Sequence, residues 1–320
     1  MTLDPEIRKI LEKGYCWDAE HGPPDTIEEA RARVEILRAD IWKPQMLPVG
    51  SIENRAMNGS GGPLDLRIYR PSKSGIRPTV VYLHGGAWSA GSLDSHESHA
   101  RRLCNRTGAV IVAVDYRLAP EDRFPAGYED CAAAHRWVVE HIAELGGDPS
   151  RIAIGGDSAG GNLAAAVALE ARDQGVPLAA QLLIYPATDL SAVYPSMRQL
   201  ATGYFLELDP DAQQGQGYVS SPSELSDRRV SPLLADLKGV APAVVIVAEY
   251  DPLKDQGAVY AEKLKASGVK VIYRNFSGLI HSFMSMGASP AAVDASDTLC
   301  ADLAGLLGVA ANHYTLEGTP

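Results

Sequence analysis

Residues 151–162 read RIAIGGDSAGGN, with glycines at 155, 156, 160 and 161 set around Ser158. A glycine at a strand end or helix start costs roughly 0.5–1 kcal/mol relative to alanine, so four together mark backbone that has no room for side chains. An apolar run, Ile152 to Ile154, precedes them, and the helix-favouring NLAAAVALEA follows. The chain must turn from strand to helix within a few residues. Gly156 to Gly160 fits G-x-S-x-G, the elbow that lifts one hydroxyl above a sheet edge. A phosphate-binding loop is the rival reading, but it needs Lys and a hydroxyl where Gly161 and Asn162 stand, and GxGxxG is not matched.

Around this turn the hydrophobic pattern predicts a mostly parallel, doubly wound α/β architecture. TVVYL, AVIVAV, LLIY and AVVIVA are short continuous apolar runs, suited to strands covered on both faces, while LDLRIYR alternates like a half-exposed one. Helical stretches near 95–106, 128–145, 161–174, 253–267 and 290–307 lie between or after them. Two further helices precede any strand. Asp4 with Pro5 starts the first, and Thr26 with Glu29 forms a capping box for the second, whose stripe is Ile27, Ala30, Val34 and Leu37. The interval 188–229 breaks the alternation and reads as an insertion over the sheet. The tail from Ala310 has no apolar periodicity.

A serine hydroxyl is a poor nucleophile alone, so the elbow demands an imidazole base oriented by a carboxylate, in the chain order Ser, acid, His. Only His281 and His313 follow Ser158, and His313 lies in the aperiodic tail, which leaves His281 in SGLIHSFM as the candidate base. Asp251 directly follows the run AVVIVAEY and is the favoured acid, although before Pro252 it also reads as a helix N-cap. Asp255 is its main rival, with Asp189 and Glu249 behind.

His84, Gly85, Gly86, Ala87 and Trp88 follow another buried run, at the place from which backbone amides reach a developing oxyanion. Gly85, Gly86 and Ala87, with the amide of Ala159, are the expected donors. His84 reads as a loop-fixing residue. His96 and His99 have helical i, i+3 spacing, yet a third ligand is not evident, so no metal and no cofactor is expected.

Composition removes other classes. The formal net charge is −11 and no long basic run offers itself to phosphates, which argues against nucleic acid. No stretch approaches 18 consecutive apolar residues, and the mixed-charge start MTLDPEIRKILEKG is not a signal sequence, so neither stable membrane insertion nor export is expected and the location reads as cytoplasmic. Cys16, Cys104, Cys131 and Cys300 are scattered, without a CxxC pair, and read as reduced.

HGGAW at 84–88, DYRLAPE at 115–121, GDSAGG at 156–161, DPLKD at 251–255 and IHSF at 280–283 together resemble the hormone-sensitive-lipase-like family of microbial esterases, within the α/β-hydrolase superfamily. The resemblance implies an α/β-hydrolase fold with a mostly parallel eight-stranded sheet, helices on both faces and a helical cap. It divides the chain into cap helices at 1–50, a catalytic core at 51–187 and 230–309 and a cap insertion at 188–229, while the aperiodic tail at 310–320 reads on its own residues as poorly ordered. Its triad falls on Ser158, Asp251 and His281. DYRLAPE is structural in such a family, and homodimers are common there. Two departures stand out: Ala87 where a third glycine is frequent, and Ser282 where glycine usually follows the histidine.

The implied activity is carboxylic ester hydrolysis (EC 3.1.1 class) of a small-molecule ester with a short or medium acyl chain, without a cofactor. Glycine or alanine at position 87 also suits esters of bulky, even tertiary, alcohols. Trp88, Tyr204, Phe205 and Leu206 are the expected pocket residues. Amide, carbamate or lactone cleavage by the same triad, or a non-catalytic ligand receptor, are the alternatives.

Overall fold

The apolar runs become the middle of one eight-stranded sheet in a computed structural model that describes residues 2–212 and 214–311. Its strands are β1 Ser51–Gly59, β2 Gly62–Arg70, β3 Arg77–Leu83, β4 Val110–Val114, β5 Gly147–Asp157, β6 Ala180–Ile184, β7 Ala243–Tyr250 and β8 Val271–Ile280. In space they run β1-β2-β4-β3-β5-β6-β7-β8. β2 is antiparallel to β1 and to β4, and all other pairings are parallel.

Parallel neighbours need crossovers, and these are the helices α3 Glu97–Thr107, α4 Ala126–Glu140, α5 Ala159–Gln174 and α7 Lys254–Ala266, with α8 Pro290–Leu306 after the last strand. Alternate strand residues serve opposite layers, as the pleat requires. Val81, Leu83, Val112, Val114, Ile152 and Ile154 pack with residues of α4, α5 and α7. Val80, Tyr82, Ile111, Ala113 and Ala153 pack with α3, α8 and the N-terminal α1. The central strands are therefore apolar on both faces, which is why they read as runs.

The N-terminal helices are α1 Pro5–His21 and α2 Ile27–Leu37. The Asp4 carboxylate accepts from the amides of Glu6 and Ile7 at 3.1 and 3.0 Å, and Thr26 Oγ1 accepts from Glu29 N at 3.1 Å. The Glu29 carboxylate reaches Asp25 N at 2.8 Å, one residue before the expected partner. The stripe of α2 is only half-buried, so this helix rides on the surface, and it runs into a π-helical turn, Arg38–Trp42.

One expectation needs revision. Residues 188–229 hold only the five-residue α6 Pro195–Gln199 and a 3-10 turn at Pro222–Ser226, the remainder being turns. Its glycine- and glutamine-rich stretch has no apolar period to build a longer helix, so α1 and α2 supply most of the helical cover. Strand β1 was not foreseen: it is an edge strand in which only Met57 is buried, so its sequence carries no alternation. Of the tail, residues 312–320 lie outside the described residues, as does His313.

Candidate active site

The elbow is formed where β5 ends and α5 begins. Ser158 stands between them at φ 54°, ψ −117°, a backbone conformation that costs of order 1–3 kcal/mol and persists only where the surroundings impose it. Its N–H donates to Ile184 O at 2.8 Å and its carbonyl accepts from Asn162 N at 3.0 Å. A Cβ on Gly156 or Gly160 would collide with the carbonyl of Leu83, so β3 can approach the turn only because both are glycine.

His281 follows β8 and faces this serine. Its Nε2 lies 2.9 Å from Ser158 Oγ, and its Nδ1 lies 2.7 Å from Asp251 Oδ2. A carboxylate only accepts, so Nδ1 carries the proton and the Nε2 lone pair is turned to the hydroxyl. Asp251 is fully buried at the end of β7, and its second oxygen accepts from Leu253 N at 2.8 Å. That second bond is a local turn before α7, whose cap position is Leu253 rather than Asp251. Ser282 adopts φ 62°, the left-handed conformation that the more usual glycine would take without strain.

The rival acids are committed elsewhere. Asp255 accepts from Ser196 N at 2.8 Å, Glu249 from Gly278 N at 2.9 Å, and Asp189 from Ser191 and Tyr194. None of these bonds touches His281.

The glycine cluster forms a tight turn beside the elbow. Gly86, Ala87 and Trp88 have φ of 125°, 51° and 59°, and Ser89 N and Ala90 N both donate to Gly86 O. Gly85 leaves the expected donor set, because its amide donates to the Asp157 carboxylate at 3.0 Å. Ala87 and Ala159 line the cavity at Ser158, and Gly86 stands next to Ala87 in the turn. His84 is buried, stacked on Tyr116 at 4.3 Å, and held to Gly85 O at 2.9 Å, which fixes the loop. Burial pushes its imidazole down to about 4.

A cavity of about 160 Å³ opens at Ser158, lined among others by Ala87, Trp88, Asp189, Leu190, Leu206 and Leu208. Trp88 and Leu206 are thus among the residues that line it. Tyr204 and Phe205 do not line it. Phe205 sits at φ 75°, which turns its ring edge-on to Trp42 at 4.8 Å, and Tyr204 packs against Tyr250 at 5.2 Å. Phe205 and Leu206 instead border a second cavity of about 590 Å³ against α1 and α2, so Leu206 belongs to both.

His96, His99 and Asp157 bring ligand-type atoms within 4.8 Å of one another. A cation already stands there: Arg38 places Nη2 3.2 Å from His96 Nε2 and Nη1 3.4 Å from His96 Nδ1. Arg38 is not legible from the sequence, because nothing in the turn that ends a surface helix announces a residue buried against a partner 58 positions away. Asp157 stands inside the GDSAGG motif, but its hold on Gly85 arises only when β3 and β5 are paired.

The chain matches the family model for the alpha/beta hydrolase fold over residues 80–285. It is 41% identical over 305 residues to carboxylesterase NlhH of Mycobacterium tuberculosis, covering 92% of this chain and 93% of that one. Among solved structures, an α/β-hydrolase enzyme from the metagenome of Lake Arreo superposes with a TM-score of 0.91 at 36% identity, covering 96% of this chain and 99% of the other. A hyperthermophilic esterase from Pyrobaculum calidifontis gives 0.88 at 38%, with the same coverage. With the elbow, the neighbouring glycine turn and these matches spanning nearly its whole length, the chain belongs to the hormone-sensitive-lipase-like esterases of the α/β-hydrolase superfamily.

Proposed function

We propose that this chain is a serine carboxylesterase working through Ser158, His281 and Asp251. The observation that carries the reading is the continuous hydrogen-bond chain, 2.9 Å from Ser158 Oγ to His281 and 2.7 Å on to Asp251, at the mouth of a cavity. His281 Nε2 takes the hydroxyl proton as Oγ attacks the ester carbonyl carbon. The carbonyl π pair moves to oxygen, where the amides of Gly86, Ala87 and Ala159 stabilise the charge. As the tetrahedral adduct collapses, His281 returns the proton to the leaving alkoxide and an acyl-enzyme remains. Water, deprotonated by the same imidazole, then releases the acid. Asp251 holds the imidazole in the productive tautomer and balances its charge while it is protonated.

The substrate is a small ester. Pockets for drug-sized ligands measure roughly 300–1,000 Å³, against about 160 Å³ at Ser158, so a short- to medium-chain acyl group is the better fit. Ala87 in place of a third glycine accords with esters of bulky alcohols. Residues 1–50 and 188–229 act as the cap over a core of 51–187 and 230–309, with Leu206 and Leu208 reaching the catalytic cavity from the insertion. A cytoplasmic location and a homodimer belong to the same proposal. No helix among the described residues is long and apolar enough to cross a membrane.

The test is hydrolysis of p-nitrophenyl esters from acetate to palmitate, alongside matched amides. Turnover of short esters, abolished in Ser158→Ala, is the expected result. Turnover unchanged in Ser158→Ala overturns the assignment, and a preference for the amides makes the protein an amide hydrolase.

A further inference from the structure

A closed ring of buried side chains lies beneath the elbow. Arg38 Nη2 donates to Ser285 Oγ at 3.1 Å, and Ser285 Oγ lies 2.9 Å from His99 Nε2. His99 Nδ1 lies 3.0 Å from Tyr82 Oη, which donates to Asp157 Oδ1 at 2.6 Å. Asp157 Oδ2 faces His96 Nε2 at 3.5 Å, and His96 leads back to Arg38 at 3.2 Å. All six residues are less than 9% exposed.

The ring touches three parts of the catalytic apparatus. Asp157 is the residue before the nucleophile. Through its Oδ1 it also holds Gly85 N at 3.0 Å, and Gly85 begins the turn that presents the amides of Gly86 and Ala87. Ser285 belongs to the 3-10 turn that follows His281, its own amide donating to Ser282 O at 3.0 Å. A shift of Asp157 therefore moves the oxyanion loop.

An ionised carboxylate removed from water needs a compensating charge. Burial raises the Asp157 carboxyl, but His96 and His99 facing it outweigh that and hold it well below the ordinary carboxylate range. Neither histidine is itself the cation, because burial followed by the nearby guanidinium keeps both low. Arg38 is lowered too, by burial, from a value so high that it stays charged. The cation that answers Asp157 thus comes from the N-terminal segment rather than from the sheet.

We propose that Arg38 is a positioning residue for ester hydrolysis, acting through His96 and Asp157 to fix the loop that carries the oxyanion amides. The inference rests on the esterase reading of Ser158. It makes the N-terminal segment part of the catalytic frame as well as a cover for the pocket. The same segment grips that loop a second time, where Arg31 Nε donates to Ser89 O at 2.7 Å.

The test compares wild type, Arg38→Met, Arg38→Lys, Asp157→Asn and the double variant Arg38→Met/Asp157→Asn, each checked for folding by thermal melting. Misplacing a catalytic group slightly costs on the order of 100-fold in rate, so kcat for p-nitrophenyl acetate is expected to fall roughly 10- to 100-fold in Arg38→Met with KM nearly unchanged. Arg38→Lys, which keeps the charge, is expected to restore most of it. With Asp157 already neutral, adding Arg38→Met should cost little more, the signature of coupled residues. Equal losses in both backgrounds, a lysine variant as impaired as the methionine one, or a lowered Tm with kcat intact would each overturn the proposal. If Arg38→Met does not fold, Arg38→Gln replaces it with the same expectation. Failure of the esterase reading is seen separately, as wild-type turnover indifferent to Ser158→Ala.

Discussion

Asp251 shows how much one side chain can be asked to do. One oxygen orients His281 at 2.7 Å and the other closes the turn into α7 at 2.8 Å, so a change at this residue is felt by both chemistry and folding unless it is isosteric. Asp251→Asn keeps the shape but offers an N–H to His281 Nδ1, favouring the wrong tautomer. In a serine protease, loss of the triad aspartate lowers kcat by about 10⁴-fold, and loss of the serine or histidine by about 10⁶-fold. We expect the same ranking here: Asp251→Asn impaired by roughly 10⁴ in kcat with KM little changed, and His281→Ala worse. Steady-state kinetics on p-nitrophenyl butyrate decide it, and Asp251→Asn within tenfold of wild type would return the acid's role to another carboxylate. Gly160 makes the complementary case. A methyl group there has no space against the Leu83 carbonyl, so Gly160→Ala is expected to abolish activity by displacing the elbow, measured as loss of labelling by a phosphonate at Ser158.

At the scale of elements, legibility followed burial. β3, β4, β6 and β7 were readable because strands packed on both faces must be continuously apolar. β1 was not, because an edge strand with one buried residue has nothing to alternate. The hydrogen-bonded set Ser158, His281 and Asp251 was readable because elbow geometry and chain order leave few choices, whereas the pocket was not, because its walls come from turns whose direction depends on single dihedrals. Phe205 and Leu206 are adjacent, yet the positive φ at Phe205 sends one ring to Trp42 and leaves the other side chain between two cavities. Leu206 is thus the wall between about 160 Å³ at Ser158 and about 590 Å³ beneath α1 and α2. Leu206→Ala is expected to join them and move the preferred chain length upward. Each added methylene that finds apolar cover is worth about 0.8 kcal/mol, or about fourfold in kcat/KM. Rates from acetate to decanoate measure this, and an unchanged optimum would place the length limit elsewhere.

Over the whole molecule the buried histidines set the acid limit of stability. Burial lowers His84 and His135 to about 4, and His96 and His99 move in the same direction. In the unfolded chain each returns to about 6.5. Between pH 6.5 and 4 the unfolded state therefore binds protons that the folded state refuses, and stability falls as pH falls through that window. For His84 and His135 the difference amounts to roughly 3 kcal/mol each, against a typical total of 5–15 kcal/mol. Asp157, held low in the fold, adds its loss only below its unfolded value of about 4. Protonating surface acids works the other way by relieving the net charge of −11, but that repulsion is screened beyond about 8 Å at physiological salt. Tm measured at 0.15 M salt is expected to stay level from pH 8 to 6.5 and then to drop steeply. The drop should be shallower in His135→Asn, which removes one titrating ring from α4 and none from the Ser158–His281–Asp251 chain. A Tm that stays level down to pH 5 would mean that these histidines reach water in the folded protein.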